Sequence, residues 1–349
     1  MLRRFASALY ERTSCQGSVK FHAQYQRHPT NALMELRQLR YFIAIVDHGA
    51  LSRAAAALHI AQPALTQQIH LLEDELGVLM LHRSSRGVVP TDAGRKFYEH
   101  AQAIIKQVSD CKAGMSELAN HPSGFVALGI PPSVSGILAL PLLKAARTRH
   151  PEITIQLTEE LSGTLIEQLF SGRLNLAILF DDDNLGQFKT TVMVAEKMML
   201  ITSANSRFAP SGPGIALADA LALPLILPSL QHGVRPRVEQ IARAAGLELK
   251  NVIEISSVGI LKSALMADLG VTIQAIAPMM PEAGTGELIA FDICGPVPMR
   301  HIALCASKEM PLNSAATAIE RLVLAVVDAQ CRSGNWPHAQ SLATASLPG

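Results

Sequence analysis

The stretch from Leu51 to His70 leaves the chain few choices. LSRAAAALHIAQPALTQQIH reads as two short helices joined by a tight turn. Ser52 is placed to N-cap the first helix, its oxygen accepting an early backbone N–H. Ala54 to Leu58 is a run of strong helix formers, and His59 to Ala61 makes the turn. Gln62 and Pro63 suit the opening of the second helix, where a missing N–H costs nothing. Leu65, Ile69, Leu72 and Leu76 follow at spacings of 4, 3 and 4, so they share one face. The opposite face carries Ala64, Thr66, Gln67, Gln68 and His70. It is polar and nearly uncharged, a match for the donor and acceptor edges of bases in a major groove. Positive charge is left to Arg53. Gly77 stops the helix. An ordinary αα-corner shows much of the same pattern, so the neighbouring segments decide.

Upstream, Leu36, Leu39, Phe42, Ile43 and Val46 recur at helical spacing until Asp47-His48-Gly49. Downstream, Leu79 to Leu81 and Val88 to Pro90 flank a polar tip holding Arg83, Arg86 and Gly87, the pattern of a short hairpin. A hairpin beside a helix–turn–helix is a winged motif, and Arg83 and Arg86 are placed to meet phosphates or the adjacent minor groove. The competing reading is a solvated charged turn. Thr91 then caps a long helix on which Phe97, Ala101, Ile104, Val108, Cys111, Met115 and Leu118 are spaced 4, 3, 4, 3, 4, 3. Such a heptad seam fits a dimer coiled coil, against the alternative of packing on its own domain. Pairing answers a physical need, because one winged module covers a single half-site and two at fixed spacing add their binding free energies.

Asn120 to Gly124 breaks that helix, and the texture changes to alternating strands and helices. Strands are expected at Phe125–Ile130, Thr154–Thr158, Leu174–Phe180, Met193–Thr202, Leu223–Leu227, Val252–Ile255, Val271–Ala275 and His301–Ala306. Helices are expected at Ile137–Arg149, Thr164–Ser171, Val234–Ala245, Gly259–Ala267 and Ala315–Ala329, with Pro131 to Gly136 as a turn. The alternation predicts parallel or mixed sheets in two lobes joined by crossing strands, a hinged clamshell. In such a clamshell ligands sit at the carboxyl ends of strands, against helix N-termini. The loops that qualify carry Ser133, Ser135, Gly136, Ser162 and Thr164 from one lobe, and Ser229, His232, Arg235 and Gln274 from the other, with Ser256 and Ser257 nearby. The hydroxyls and helix-terminal N–H groups would hold a carboxylate or phosphate, with His232 or Arg235 adding positive charge. Each hydroxyl taken singly is also an ordinary helix cap; together they point to a site. Few aromatic residues lie in these loops, which argues against a large planar ligand.

The expected layout is multidomain α+β. Residues 1–33 are a disordered extension or an upstream start, with Met34 the more natural first residue. Residues 34–91 form the winged helix-turn-helix and 92–121 the linker and dimerisation helix. Residues 124–195 and 302–330 make the first lobe, 196–301 the second, and 331–349 a loose tail. Residues 1–33 carry five basic side chains against Glu11 but lack the apolar core of a secretory signal. A net charge of +1 gives no global nucleic-acid signature, so DNA binding must rest on local charge. Five cysteines, odd in number and without a CxxC pair, argue against a zinc site or a disulfide frame and fit a reducing compartment. Cys294 and Cys305 sit in apolar stretches and read as core thiols before redox sensors.

Taken in this order, the modules resemble a LysR-type transcriptional regulator from about Met34 to Gln330. The likeness is carried by Met34-Glu-Leu-Arg-Gln-Leu-Arg-Tyr-Phe42, Ala54-Ala55, Gln62-Pro-Ala-Leu65, Leu72-Glu-Asp-Glu-Leu-Gly77, Arg83 and Pro90-Thr-Asp-Ala-Gly94. Within that family the chain is most similar to the nitrogen assimilation control branch, through Ala61 to Leu65, Val89 to Gly94 and Leu227 to Arg235. The resemblance implies a periplasmic-binding-protein-like effector domain and homotetrameric assembly from homodimers. It implies a dyad-symmetric DNA operator, a small-molecule effector between the lobes, and activation through RNA polymerase at the bacterial nucleoid in the cytoplasm. No cofactor or metal is implied. The winged motif carries over with Gln62, Pro63, Thr66 and Gln67 at the DNA-facing helix start. Where the family often has Ser then Arg, this chain has Thr66 and Gln67. The hydroxyl is kept and the cation is lost, although glutamine can pair bidentately with adenine.

Two other classes compete with this reading. An α/β enzyme would be expected to show GxSxG, a strand-linked GxGxxG, a Walker loop or HExxH, and the chain has none. Asp181 to Asp183 fit a solvated loop better than a metal site. A secreted solute-binding protein would share the clamshell but not the winged motif before it.

Overall fold

The computed structural model describes residues 34–84, 87–115, 122–180, 185–230, 233–295 and 299–343. Its first three helices are α1 (Leu36–His48), α2 (Leu51–Ala57) and α3 (Gln62–Leu76). Phe42, Ile45, Ala54, Ala55, Leu65, Ile69 and Leu72 bury a common core between them. Ile45, rather than Ile43, takes the buried isoleucine position on α1. Gly49 and Gly77 end α1 and α3 in the left-handed conformation. Strands β1 (Leu81–Ser84) and β2 (Gly87–Pro90) form the antiparallel wing. Gly87 has φ 133°, and a Cβ there would lie 2.6 Å from the Gly49 carbonyl oxygen, so only glycine lets the wing close on the turn after α1. Thr91 caps α4 (Asp92–Met115) as expected, its hydroxyl oxygen accepting from Gly94 N at 2.9 Å.

The remaining chain runs β3 (Gly124–Ile130), α5 (Pro132–Arg149), β4 (Ile153–Glu159), α6 (Ser162–Phe170), β5 (Leu176–Phe180), β6 (Phe188–Lys197) and β7 (Met199–Ser203). It continues through β8 (Gly214–Ala216), α7 (Leu217–Ala222), β9 (Leu225–Leu227), α8 (Val234–Ala244), β10 (Val252–Glu254), α9 (Val258–Met266) and β11 (Thr272–Gln274). It ends with α10 (Met280–Thr285), β12 (Leu288–Cys294), β13 (Met299–Ser307), α11 (Ser314–Arg332) and β14 (Ala339–Ser341). One sheet has the order β14-β6-β13-β5-β3-β4, with α5, α11 and Trp336 packed into its largest core. The second lobe holds the sheet β11-β7-β12-β8 and the parallel pair β10-β9, joined by a bridge from Leu225 to Val271. The chain passes between lobes at Met198 and again between β12 and β13, the two crossings a clamshell hinge requires.

Three expectations change. The predicted turn at Pro131 to Gly136 is the first turn of α5, because Pro132 falls where a helix needs no N–H. The single strand expected over 193–202 is two, β6 and β7, one in each lobe. The tail is not loose as far as residue 343. Trp336 is 1% exposed in the first lobe, and β14 pairs with β6, Gln340 opposite Ala195. Burial of that indole supplies the apolar area a disordered tail would lack. The described residues include no helix long and apolar enough to cross a membrane.

Candidate DNA interface and effector cleft

On α3, Gln62, Pro63, Gln67 and His70 are outward-facing, Thr66 and Gln68 lie at its flanks, and Leu65 and Ile69 turn inward. The polar face read from the sequence is therefore the outward face. Gln62 and Pro63 occupy the first helical turn after an N-cap at Ala61. Ser52 does not cap α2: Ala50 holds that position and Ser52 is exposed within the first turn beside Arg53. The helix begins earlier than the hydroxyl would place it, since the extended Ala50 already turns the chain.

An acid on the apolar side of α3 holds the wing to that helix. Glu73 is almost fully buried, and its Oε1 accepts from Met80 N at 2.8 Å and Leu81 N at 3.2 Å. Its Oε2 faces Arg83 Nη2 at 3.7 Å and His70 Nδ1 at 3.9 Å, and Arg83 Nη1 lies 3.2 Å from His70 Nε2. A buried carboxylate that satisfies two backbone N–H groups fixes where the wing leaves the helix. Arg83 thus stands at the far end of α3 rather than on a free loop. The signal in the sequence was an acid next to Leu72 on the apolar side of α3. Arg86 lies outside the described residues.

The heptad seam divides. Phe97 meets Phe42 edge-to-face with centroids 5.0 Å apart, and Ala101 is buried, so this end packs within the chain. Ile104 and Cys111 are exposed and Val108 is half-buried. Leu118, and the side chain of Met115, lie outside the described residues. Asp47 accepts a short hydrogen bond from the Tyr98 hydroxyl, and burial with that carboxylate pushes the Tyr98 pKa up to about 12.

In the effector domain β3 and β4 run parallel, Ile130 opposite Glu159, so α5 and α6 both start from one end of the sheet. Ser133, Ser135 and Gly136 lie in the first turns of α5, and Ser162 and Thr164 in the first turn of α6. Neither Ser133 nor Ser162 caps its helix; Pro131 and Leu161 hold the cap positions. Ser162 Oγ is buried with no hydrogen-bond partner among the described residues. Ser135 Oγ donates to the Pro132 carbonyl. Phe180, at the same end of β5, abuts the second lobe: a Cβ on Gly233 would lie 2.1 Å from its ring.

In the second lobe Ser229 N donates to Ser256 Oγ at 3.2 Å, joining the loops after β9 and β10. Gln274 is buried and its Nε2 has no partner among the described residues. Arg235 is paired with Glu239 at 2.7 Å, which offsets the charge expected of it. His232 lies outside the described residues, as do Asp181 to Asp183. A second, fully buried ion pair lies beside the first-lobe hydroxyls. Arg300 of β13 and Glu196 of β6 face each other across the hinge strands, 2% and 1% exposed. Arg300 Nε donates to Glu196 Oε1 at 2.6 Å, its Nη1 to Ser133 Oγ at 3.2 Å, and its guanidinium stacks over Phe180. Trp336 Nε1 donates to Glu196 Oε2 at 2.7 Å. These residues come from distant segments, which no local pattern could bring together. Cys305 is buried, whereas Cys294 is exposed rather than a core thiol.

Residues 36–95 match the model for bacterial regulatory helix-turn-helix proteins of the lysR family, and residues 119–328 match the LysR substrate binding domain. The nitrogen assimilation regulatory protein nac of Escherichia coli is 31% identical over 84% of this chain and 95% of its own. The dual regulator OxyR of Escherichia coli is 27% identical over 84% of this chain and 96% of its own. Among solved structures, CbnR complexed with its target DNA superposes with a TM-score of 0.61 at 24% identity, over 84% of this chain and all of that one. A full-length OxyR variant from Pseudomonas aeruginosa gives 0.61 at 20%, over 84% of this chain and 94% of that one. With both modules matched in order, the chain belongs to the LysR family of bacterial regulators: it is a DNA-binding transcriptional regulator with an effector-binding domain, not an enzyme.

Proposed function

We propose that this regulator reads a dyad-symmetric operator with α3 in the major groove and activates transcription in answer to a small anionic effector. The observation that carries the reading is the outward polar face of α3, set beside a wing whose position Glu73 fixes. Gln62, Thr66, Gln67 and Gln68 read base edges, and Pro63 sets the helix start against the groove. Ser52, Arg53, Arg83 and Arg86 meet phosphates or the flanking minor groove. Ile104, Val108, Cys111, Met115 and Leu118 form the seam of a dimer, and dimers pair into tetramers. RNA polymerase is the partner at the promoter, in the bacterial cytoplasm at the nucleoid.

The effector sits between lobes, held by Ser133, Ser135, Gly136, Ser162 and Thr164 on one side and Ser229, His232, Arg235 and Gln274 on the other. The unpartnered Ser162 Oγ and Gln274 Nε2 support this placement, and so do the α5 and α6 N-termini that open toward one end of the sheet. A carboxylate is the favoured group, since helix N–H donors and hydroxyls select an acceptor.

Gel retardation of the DNA upstream of the gene tests the DNA reading. Retardation that survives competitor DNA, and weakens sharply when one half of the dyad is scrambled, is expected. Equal retardation of any sequence would overturn it.

A further inference from the structure

Between α4 and the first lobe lies an open-sided cavity of about 390 Å3, lined by Lys106, Asp110 and Cys111 from the helix and by Asn175, Ser307 and Leu312 from the lobe. It lies at the opposite end of the sheet from the cleft: Asn175 precedes β5 and Phe180 ends it. The length of that strand separates them by about 16 Å. Its volume is in the range of small-molecule sites.

Its polar end is organised around one carboxylate. Asp110 Oδ2 accepts from Lys106 Nζ at 2.6 Å and from Asn175 Nδ2 at 3.0 Å, and Oδ1 accepts from Asn313 Nδ2 at 2.9 Å. Both asparagines are fixed from behind. Asn175 Oδ1 accepts from Ala127 N at 2.9 Å, and Asn313 Oδ1 caps α11 by accepting from Ala316 N at 2.7 Å. Burial draws the Lys106 pKa below the usual lysine value. Leu174, Pro311, Leu312 and Met310 supply apolar wall, and Gln107 Nε2 reaches Met310 Sδ at 3.1 Å.

We infer that this junction cavity is a second small-molecule site, for an uncharged amphipathic ligand with a carboxamide-type edge and an apolar body. Its one ion pair, Lys106 with Asp110, is already matched and braced by two asparagines, so a charged ligand finds no free counter-charge there. An amide edge offers both a donor and an acceptor. The second lone pair of Asp110 Oδ1 can take the donor, and the Ser307 hydroxyl can supply the acceptor with a proton. An occupant would bridge the helix that carries the DNA-reading head and the lobe that carries the cleft. This site stands apart from the cleft reading, and either can fail without the other.

The test is titration calorimetry of the intact protein with benzamide as the probe. Saturable binding is expected, while benzoate and benzylamine need about tenfold more for the same occupancy. Gln107→Trp, at a lining position of α4, should abolish benzamide binding while circular dichroism stays native. No binding at millimolar benzamide, or binding that persists in Gln107→Trp, would overturn the site. Equal potency of the three probes would overturn the ligand class.

Discussion

Glu73 of α3 lies 3.7 Å from Arg83 of the wing while holding two N–H groups of the intervening chain. Glu73→Ala leaves those two donors unpaired in a buried place. It is expected to destabilise the DNA-binding module by about 1–3 kcal/mol per lost bond, measured by urea unfolding. Glu73→Gln keeps one acceptor and should lose less. Equal losses in the two variants would contradict the account of the carboxylate as a dual acceptor.

Arg83→Ala should weaken binding to operator and to unrelated DNA alike, and lower the salt slope of log K by about one phosphate equivalent. An unchanged slope would take Arg83 off the phosphate contacts.

Trp336 supplies the clearest test of the ordered tail. Trp336→Ala removes a fully buried indole and the donor to Glu196 Oε2. A loss of about 3–5 kcal/mol is expected for a core tryptophan, read as a shift in denaturant midpoint at unchanged m-value. A variant as stable as the parent would restore the tail to a loose appendage.

Alkaline pH should expose Tyr98. Its pKa is about 12 folded against 10 for the free phenol, so between those values the folded state keeps a proton the unfolded state has lost. The stabilisation is full below pH 10 and falls as pH rises toward 12. Tyr98→Phe should flatten that decline, and the parent should show one late-titrating tyrosine in its ultraviolet absorbance. Identical pH profiles for the two proteins would contradict the raised pKa of the buried phenol.

Ser162→Ala should alter the response of DNA-bound protein to its effector while leaving operator affinity in place, because Ser162 Oγ supports nothing else among the described residues. A fall in operator affinity without effector would assign it a structural role.

The reading head was legible because its signals are local. The spacing of Leu65, Ile69 and Leu72, Pro63 near the helix start and Gly77 at its end each act within a few residues. The α/β alternation likewise placed the two lobes. Ser52 was misplaced because a cap depends on where the preceding residue turns, and Ala50 turns first. Glu73, Arg300 and Glu196 were not singled out because a buried charge is defined by partners brought in by the fold. The partners of Arg300 are 104 and 167 residues away. The tail was read as loose because one tryptophan carries no periodicity, although its burial decides the outcome.

The central claim is that the outward face of α3 reads base edges through hydrogen bonds, and Gln62→Ala tests it most directly. Fluorescence anisotropy at fixed salt would compare the variant with the parent on operator DNA and on a scrambled duplex of equal length. The account predicts a loss of about 1–3 kcal/mol on the operator and almost none on the scrambled duplex. Equal losses on both would contradict it, leaving Gln62 a positioning contact with no part in reading sequence.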